Sequence, residues 1–263
     1  MEDEDAGAYP KVGTTALMLL ALNYPSLRNK YLVQQAEFRR SIDRSQMPNG
    51  RFVTHFGLSE DYAREREFSP GQVLLGLVME VEAGSGAAAA ACLRAFSPYR
   101  EHFMNAPKTA FVGWQIEAWA RLAQALSRDD FAQFAFQQAD WLAKKQISGD
   151  VVKSFAGGFR KGDEDPGFST VVYTEALIAA LRLAHHANDI ARQRKYSAAV
   201  RAGLAFCAQL QLDMIPDAFF PNPHKRHGGI ALGLTELNVR CDVVQHFITL
   251  SLAACDSFGF VYP

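Results

Sequence analysis

Cysteine is scarce in this chain: four residues in 263, at positions 92, 207, 241 and 255. None forms a CxxC pair or takes zinc-finger spacing, so neither a disulfide framework nor a structural zinc site is supported. All four fall in apolar helical stretches, where a thiol behaves as a small hydrophobe, and they are expected to be reduced in a cytoplasmic protein. Charge of one sign is also lacking. Lys and Arg number 27 against 28 Asp and Glu, a formal net charge of −1. That gives no electrostatic case for nucleic acid or for an anionic membrane. The densest basic cluster, His224-Lys-Arg-His227, is too short to change this. Long hydrophobic runs are missing as well: residues 16–22 and 73–79 fall far short of the ~20 residues that span a bilayer. The first residues, Met-Glu-Asp-Glu-Asp, are acidic where a secretory leader would be basic, and residues 1–10 read as an acidic tail of poor order.

Sharp chemical signatures are absent too. There is no P-loop, no Gly-x-Gly-x-x-Gly, no His-Glu-x-x-His and no Gly-x-Ser-x-Gly, which leaves nucleotide, zincin and esterase chemistry unsupported. No cofactor is expected. Alternating apolar and polar residues of the kind that mark strands hardly occur.

What the chain does contain is helix after helix. With 49% hydrophobic and 21% charged residues it has the composition of an ordinary globule. The apolar spacing predicts helices over 14–22, 30–45, 70–83, 86–104, 109–127, 129–147, 170–187, 190–212 and 239–257. Ser69-Pro70 fits a cap followed by a first turn, and Ser127 and Asp129 fit a boundary between two helices. Two kinds of helix alternate. Segments such as 71–79 and 171–181 are apolar nearly all round and must be covered on every side; 130–144 is amphipathic. An inner set of buried helices wrapped by an outer amphipathic set satisfies both patterns. The loops after the amphipathic helices repeat a theme: Gln46 leads to Gly50-Arg-Phe52, Gln146 to Gly157-Gly-Phe159, and Gln211 to Gly228-Gly-Ile230. The period is irregular, so the repeat is a degenerate one of helical hairpins, and a single domain over 1–263 is expected.

Inner and outer helices joined by such corners resemble the α/α toroids: six-hairpin glycosidases, N-acylglucosamine 2-epimerases, glucuronyl C5-epimerases and, more distantly, the terpenoid cyclase and prenyltransferase toroids. Phe68-Ser-Pro-Gly-Gln72, Gly157-Gly-Phe159 and Arg240-Cys-Asp-Val-Val-Gln-His246 are most similar to the sugar-acting kind. The resemblance implies an all-α toroid of hairpins. A full toroid has twelve helices against about nine here, which implies an incomplete or open ring. Gln72 stands where the sugar-acting toroids usually carry an acid, so no acid role transfers to that position. Against the terpenoid branch, neither Asp-x-Asp-Asp nor Asp-Asp-x-x-Asp occurs, and Asp163-Glu-Asp165 matches neither. A prenyltransferase-like zinc set of Cys241, Asp242 and His246 cannot share one helix face, so no metal is expected.

Residues Asp242, Gln245, His246 and Thr249, spaced i, i+3, i+4, i+7, form one polar stripe on the last helix, with Arg240 just ahead of it. Such groups are costly to bury unpaired, so the stripe faces either a polar cavity or a dense hydrogen-bond network. As a functional wall it supplies His246 as general acid or base, Asp242 to orient its ring, and Arg240 to hold an anionic group. As a structural one, Asp242 and His246 satisfy each other. Glu175, the lone acid on an apolar helix, is the third catalytic candidate, expected (or Tyr173 in its place) opposite the Asp242–His246 dyad in a polar cavity, its alternative being a long reach to Arg182. Tyr173 is a proton donor or a core tyrosine. Trp114 is a platform for a sugar face or a core residue, Gln72 a polar contact, and Arg66 in Arg64-Glu-Arg-Glu67 a rim clamp for carboxylate or phosphate. Glu117 and Arg121 read as a local ion pair.

The expected function is that of a carbohydrate-active toroid: an epimerase, hydrolase or lyase acting on a sugar or uronate by acid/base chemistry. The alternative is a non-catalytic toroid that binds a glycan or a protein partner within a biosynthetic complex. A weaker third reading is a helical scaffold of solenoid type. The expected ligand is a small molecule or oligosaccharide, with a protein partner as a further option and neither nucleic acid nor membrane.

Overall fold

The computed structural model describes residues 9–57, 65–149, 152–160, 164–214, 222, 224 and 226–259. Residues 1–8 of the acidic tail, Arg64, Asp163 and Lys225 lie outside the described residues. Among those described, regular structure is entirely helical, with isolated β-bridges in place of strands. The helices are α1 (Val12–Leu22), α2 (Leu32–Ser45), α3 (Ser69–Glu82), α4 (Gly86–Asn105), α5 (Thr109–Leu126), α6 (Asp129–Ala143), α7 (Ser169–His186), α8 (Ile190–Ala208) and α9 (Cys241–Phe258). Short 3-10 turns cover Glu65–Glu67, Lys153–Phe155 and Leu212–Met214.

Local chemistry sets the boundaries. Ser85 Oγ accepts from the Ala88 amide and Asp189 Oδ1 from the Arg192 amide, which satisfies first-turn donors of α4 and α8. Ser127 closes α5 in the left-handed region at φ 51. Ser69 does not act as a cap. Phe68 is already in the right-handed region after the 3-10 turn, so α3 begins at Ser69 with Pro70 in its first turn. Helices α6 and α8 stop about one turn earlier than their apolar spacing predicts. The reason is the same in both: Gln146 and Gln211 leave the helix to pair with Phe159 and Ile230, as Gln46 does with Phe52 after α2.

The chain groups into two compact units, Met1–Gln137 and Gln138–Pro263. In the first, α1 packs on α2 and α3, and α3 packs also on α4 and α5. Helix α3 buries Val73, Leu74, Leu75, Leu77 and Val78, as its all-round apolarity requires. Small residues let it approach its neighbours closely. A Cβ on Gly76 would fall 2.7 Å from the Ala16 carbonyl, and one on Gly71 would fall 2.4 Å from Trp114 Cβ. The aromatic centre is Phe96, Trp119, Phe131 and Phe134, with Phe96 tilted against Phe131 at 4.6 Å and edge-on to Trp119 at 5.2 Å. In the second unit α7 packs on both α8 and α9. Gly203 of α8 admits Thr174 of α7, whose Oγ1 would lie 2.2 Å from a Cβ there. Asp140 on the second half of α6 receives Lys195 Nζ at 2.7 Å, the Tyr196 hydroxyl at 3.0 Å and Arg192 Nε at 3.2 Å, which ties α6 to α8.

Candidate functional site

In the second unit the apolar helix α7 and the stripe of α9 meet through two side chains. His246 Nδ1 lies 2.7 Å from Glu175 Oε2, and each side chain is 12% exposed. Glu175 is six residues into α7, about 9 Å along the axis from its first residue. His246 sits in the second turn of α9. An imidazole and a carboxylate at this separation form a charge-assisted hydrogen bond that fixes the ring's orientation. With the proton on Nδ1 donated to Glu175, Nε2 carries the lone pair that a general base needs.

The other members of the stripe do not reach across to α7. Asp242 takes a fork from Arg240, Nε to Oδ1 at 3.1 Å and Nη2 to Oδ2 at 2.5 Å. Partial burial pushes the Asp242 carboxyl up, but the bonds and charge of Arg240 outweigh it and hold the group below its ordinary value. Asp242 therefore does not orient His246; Glu175 does. The physical reason is proximity: Arg240 is the cap residue, two positions away, and presents its fork directly to the first turn. Gln245 and Thr249 bond within their own helix, Nε2 to Oγ1 at 3.4 Å and Oγ1 to the Gln245 carbonyl at 3.1 Å. Glu175 does not pair with Arg182, which turns instead to Asp256, Ser257 and the Ala253 carbonyl. Tyr173 is 3% exposed and edge-on to Phe159 at 5.6 Å, the position of a core tyrosine.

Arg240 also stands over the Phe168 ring, 5.2 Å from its centroid. Phe168 in turn lines a cleft of about 290 Å³ at the start of α7, with Phe155, Ser169, Leu232 and Leu234. Glu164, Asp165 and Glu236 bring carboxylates to the same cleft. Aromatic faces beside hydroxyl-accepting carboxylates suit a polar ring with apolar faces. The stripe did not predict this cleft. Its one signal in the chain is that Phe168-Ser169 repeats Phe68-Ser69 at the entry to the next apolar helix.

Three predicted residues belong to the first unit. Gln72 lies against α1, its Oε1 2.1 Å from where a Cβ on Gly13 would stand. Trp114 is half-buried beside Gly71. Arg66 is half-buried in the 3-10 turn next to Glu67, whose Oε1 receives Lys108 Nζ at 2.8 Å. The Glu117–Arg121 pair forms at 3.6 Å, although Arg121 bonds more closely to Glu82, at 2.7 and 2.9 Å. Cys92 and Cys207 are buried and free, but Cys241 is exposed at the first position of α9 and Cys255 is half-buried. Among the described residues no group of three or more His, Cys, Asp or Glu is placed to hold a metal, and no helix is long and apolar enough to cross a membrane. No family model, curated protein or solved structure matches the chain.

Proposed function

We propose that the chain is a carbohydrate-active protein of the α/α-toroid kind, using His246 for proton transfer on a sugar or uronate. One observation carries the reading: the Glu175–His246 pair, formed across two helices and largely withdrawn from solvent. Glu175 is the positioning residue. It holds the imidazole and stabilises it when protonated, which suits abstraction of a proton beside a carboxyl or activation of a water. The cleft at Phe168 offers a ring-sized space with carboxylates for hydroxyl groups, and Arg240 at its edge supplies the cation for a uronate.

Two observations favour the alternative, a glycan- or partner-binding protein without turnover. Tyr173 is buried, and Asp242 is occupied by Arg240. The bonds from Arg240 take up the one carboxylate of the stripe.

The deciding experiment is a thermal-shift screen of the wild type, His246→Ala and Glu175→Gln against monosaccharides, uronates and short oligosaccharides, followed by turnover assays on the class that stabilises. The expected result is a stabilising class whose turnover falls about 10²–10⁴-fold in His246→Ala. Turnover kept in a folded His246→Ala would refute the catalytic role. Stabilisation without turnover in any variant would establish the binding reading.

A further inference from the structure

The cleft at the entry of α7 has two walls that the main chain fixes to each other. Gly167 bridges Gly233, and the Phe168 amide donates to the Leu232 carbonyl at 2.8 Å. Position 167 has no room for a side chain, since a Cβ there would run into the Leu232 carbonyl. On the far wall the Leu232 amide donates to the Asn238 carbonyl and the Gly233 amide to that of Glu236, which holds Glu236 at the end of a tight turn. Little ordering is left for a ligand to impose.

The charge of this cleft is one-sided. Among the described residues its lining carries three carboxylates, Glu164, Asp165 and Glu236, and no lysine, arginine or histidine. Arg240 stands over Phe168, but its fork is given to Asp242, so that pair adds no net charge. The first unit fills the corresponding place differently. There Glu67 precedes Phe68 at the entry of α3, and its Oε1 receives Nζ of Lys108, the residue ahead of α5, at 2.8 Å. In the second unit Gly167 precedes Phe168, and Arg240 is the residue ahead of α9. Glycine offers no carboxylate to a cation, and the acids of the second entry come from the cleft walls instead.

We propose that this cleft binds a sugar ring bearing a protonated amine, with the ammonium among Glu164, Asp165 and Glu236 and the apolar face of the ring against Phe155 and Phe168. The inference rests on the carbohydrate reading of the same cleft and narrows it to one class. The sign of the charge decides. An ammonium donates charge-assisted hydrogen bonds to carboxylates, roughly twice as strong as those of a neutral hydroxyl. A uronate would bring a fourth negative charge to three, a juxtaposition that costs affinity. Phe168 already accepts a cation on its face, the Arg240 guanidinium 5.2 Å from its centroid, and Phe155 adds a second aromatic surface. Ser169 and Thr235, also in the lining, are left for the hydroxyl groups of the ring.

The test is isothermal titration of the full chain with glucosamine, N-acetylglucosamine, glucose and glucuronate, at a pH where the free amine is protonated. These share a ring and differ in charge. Glucosamine should bind about tenfold more tightly than glucose or N-acetylglucosamine, and more tightly still than glucuronate, with a preference that shrinks as salt is raised. Combining Glu164→Gln, Asp165→Asn and Glu236→Gln should bring glucosamine down to the level of glucose. All three side chains are exposed, so the fold survives their replacement, which circular dichroism checks. Equal binding of charged and neutral rings, tighter binding of glucuronate, or a preference kept in the triple variant would overturn the ammonium site and leave the carbohydrate reading standing. Cyclohexylamine bound as tightly as glucosamine would keep the ammonium site and overturn the carbohydrate reading. No binding of any of these compounds would overturn both.

Discussion

Cys92 and Cys207 carry thiols that burial pushes up to about 12, the first also felt by Arg39 and Glu80 and the second by Thr174. A thiol with so little thiolate at neutral pH is a poor nucleophile. A colorimetric thiol titration of the native chain should therefore register Cys241 rapidly, Cys255 more slowly, and the other two only after denaturation. Four fast thiols would contradict the burial. Glycine supplies a second test at this scale. Gly157→Ala forces a Cβ onto the Ala202 carbonyl in a left-handed backbone and should cost about 1–3 kcal/mol. Gly228→Ala carries only the left-handed penalty, about 1 kcal/mol. Urea melts of the pair check the order. At the site itself the residue types were legible: a lone Glu175 among apolar neighbours and a His246 in a polar stripe both stood out. Glu175 or Tyr173 is expected from the sequence opposite an Asp242–His246 dyad; that Glu175 itself, and not Asp242, bonds the ring was not legible, since 71 residues separate the two and only the packing of α7 on α9 brings them to 2.7 Å.

Among the elements, Gln46 and Gln146 act as struts between a helix end and another helix, donating to the Ala91 carbonyl of α4 and the Ala199 carbonyl of α8. Gln146→Ala removes two hydrogen bonds to the Gly157 and Ala199 carbonyls, and denaturant unfolding should register a loss of about 1–3 kcal/mol. Gln211→Ala should stay within about 0.5 kcal/mol in the isolated chain. Equal losses would mean that the Gln211 carboxamide is bonded as that of Gln146 is. The recurrence Gln…Gly-x-Phe/Ile was visible in the chain, and so were the nine helices found among the described residues, because 3.6-residue apolar periodicity is a local signal. The ends of α6 and α8 were not. Ala143 to Gln146 and Ala208 to Gln211 have helical propensities as good as the turns before them, and their departure is decided by bridges to residues 13 and 19 positions away. Ser69 misled for the same reason: its type suits a cap, but the 3-10 turn ahead of it had already started the helix.

At the scale of the whole molecule, each unit carries a group that makes it acid-labile. His102 in the first unit has its pKa lowered, chiefly by burial, with Arg51, Arg66 and Lys108 adding to this and Glu67 opposing it. Asp140 in the second is pushed up by burial, but the bonds from Lys195, Tyr196 and Arg192 outweigh that and leave it below its ordinary value. Both are depressed in the folded state, so both contribute stability that is complete above the unfolded value and is lost as pH falls through the folded one. Stability should begin to decline below about pH 6.5 through His102 and decline further below about pH 4 through Asp140. Urea midpoints taken between pH 8 and 3 check this. Replacing His102 with Gln should remove the first decline, and a decline that persists would assign it elsewhere.

Among the described residues, the all-helical class, the nine helices, their alternation in apolarity and the recurring Gln corners follow from the order of residues alone, because each rests on local sequence pattern. Which acid holds His246 and which helix Gln46 and Gln146 reach depend on groups 45 to 71 residues apart. Those are decided only when the helices pack, since a hydrogen bond needs its partners within about 3 Å and chain order sets no such distance.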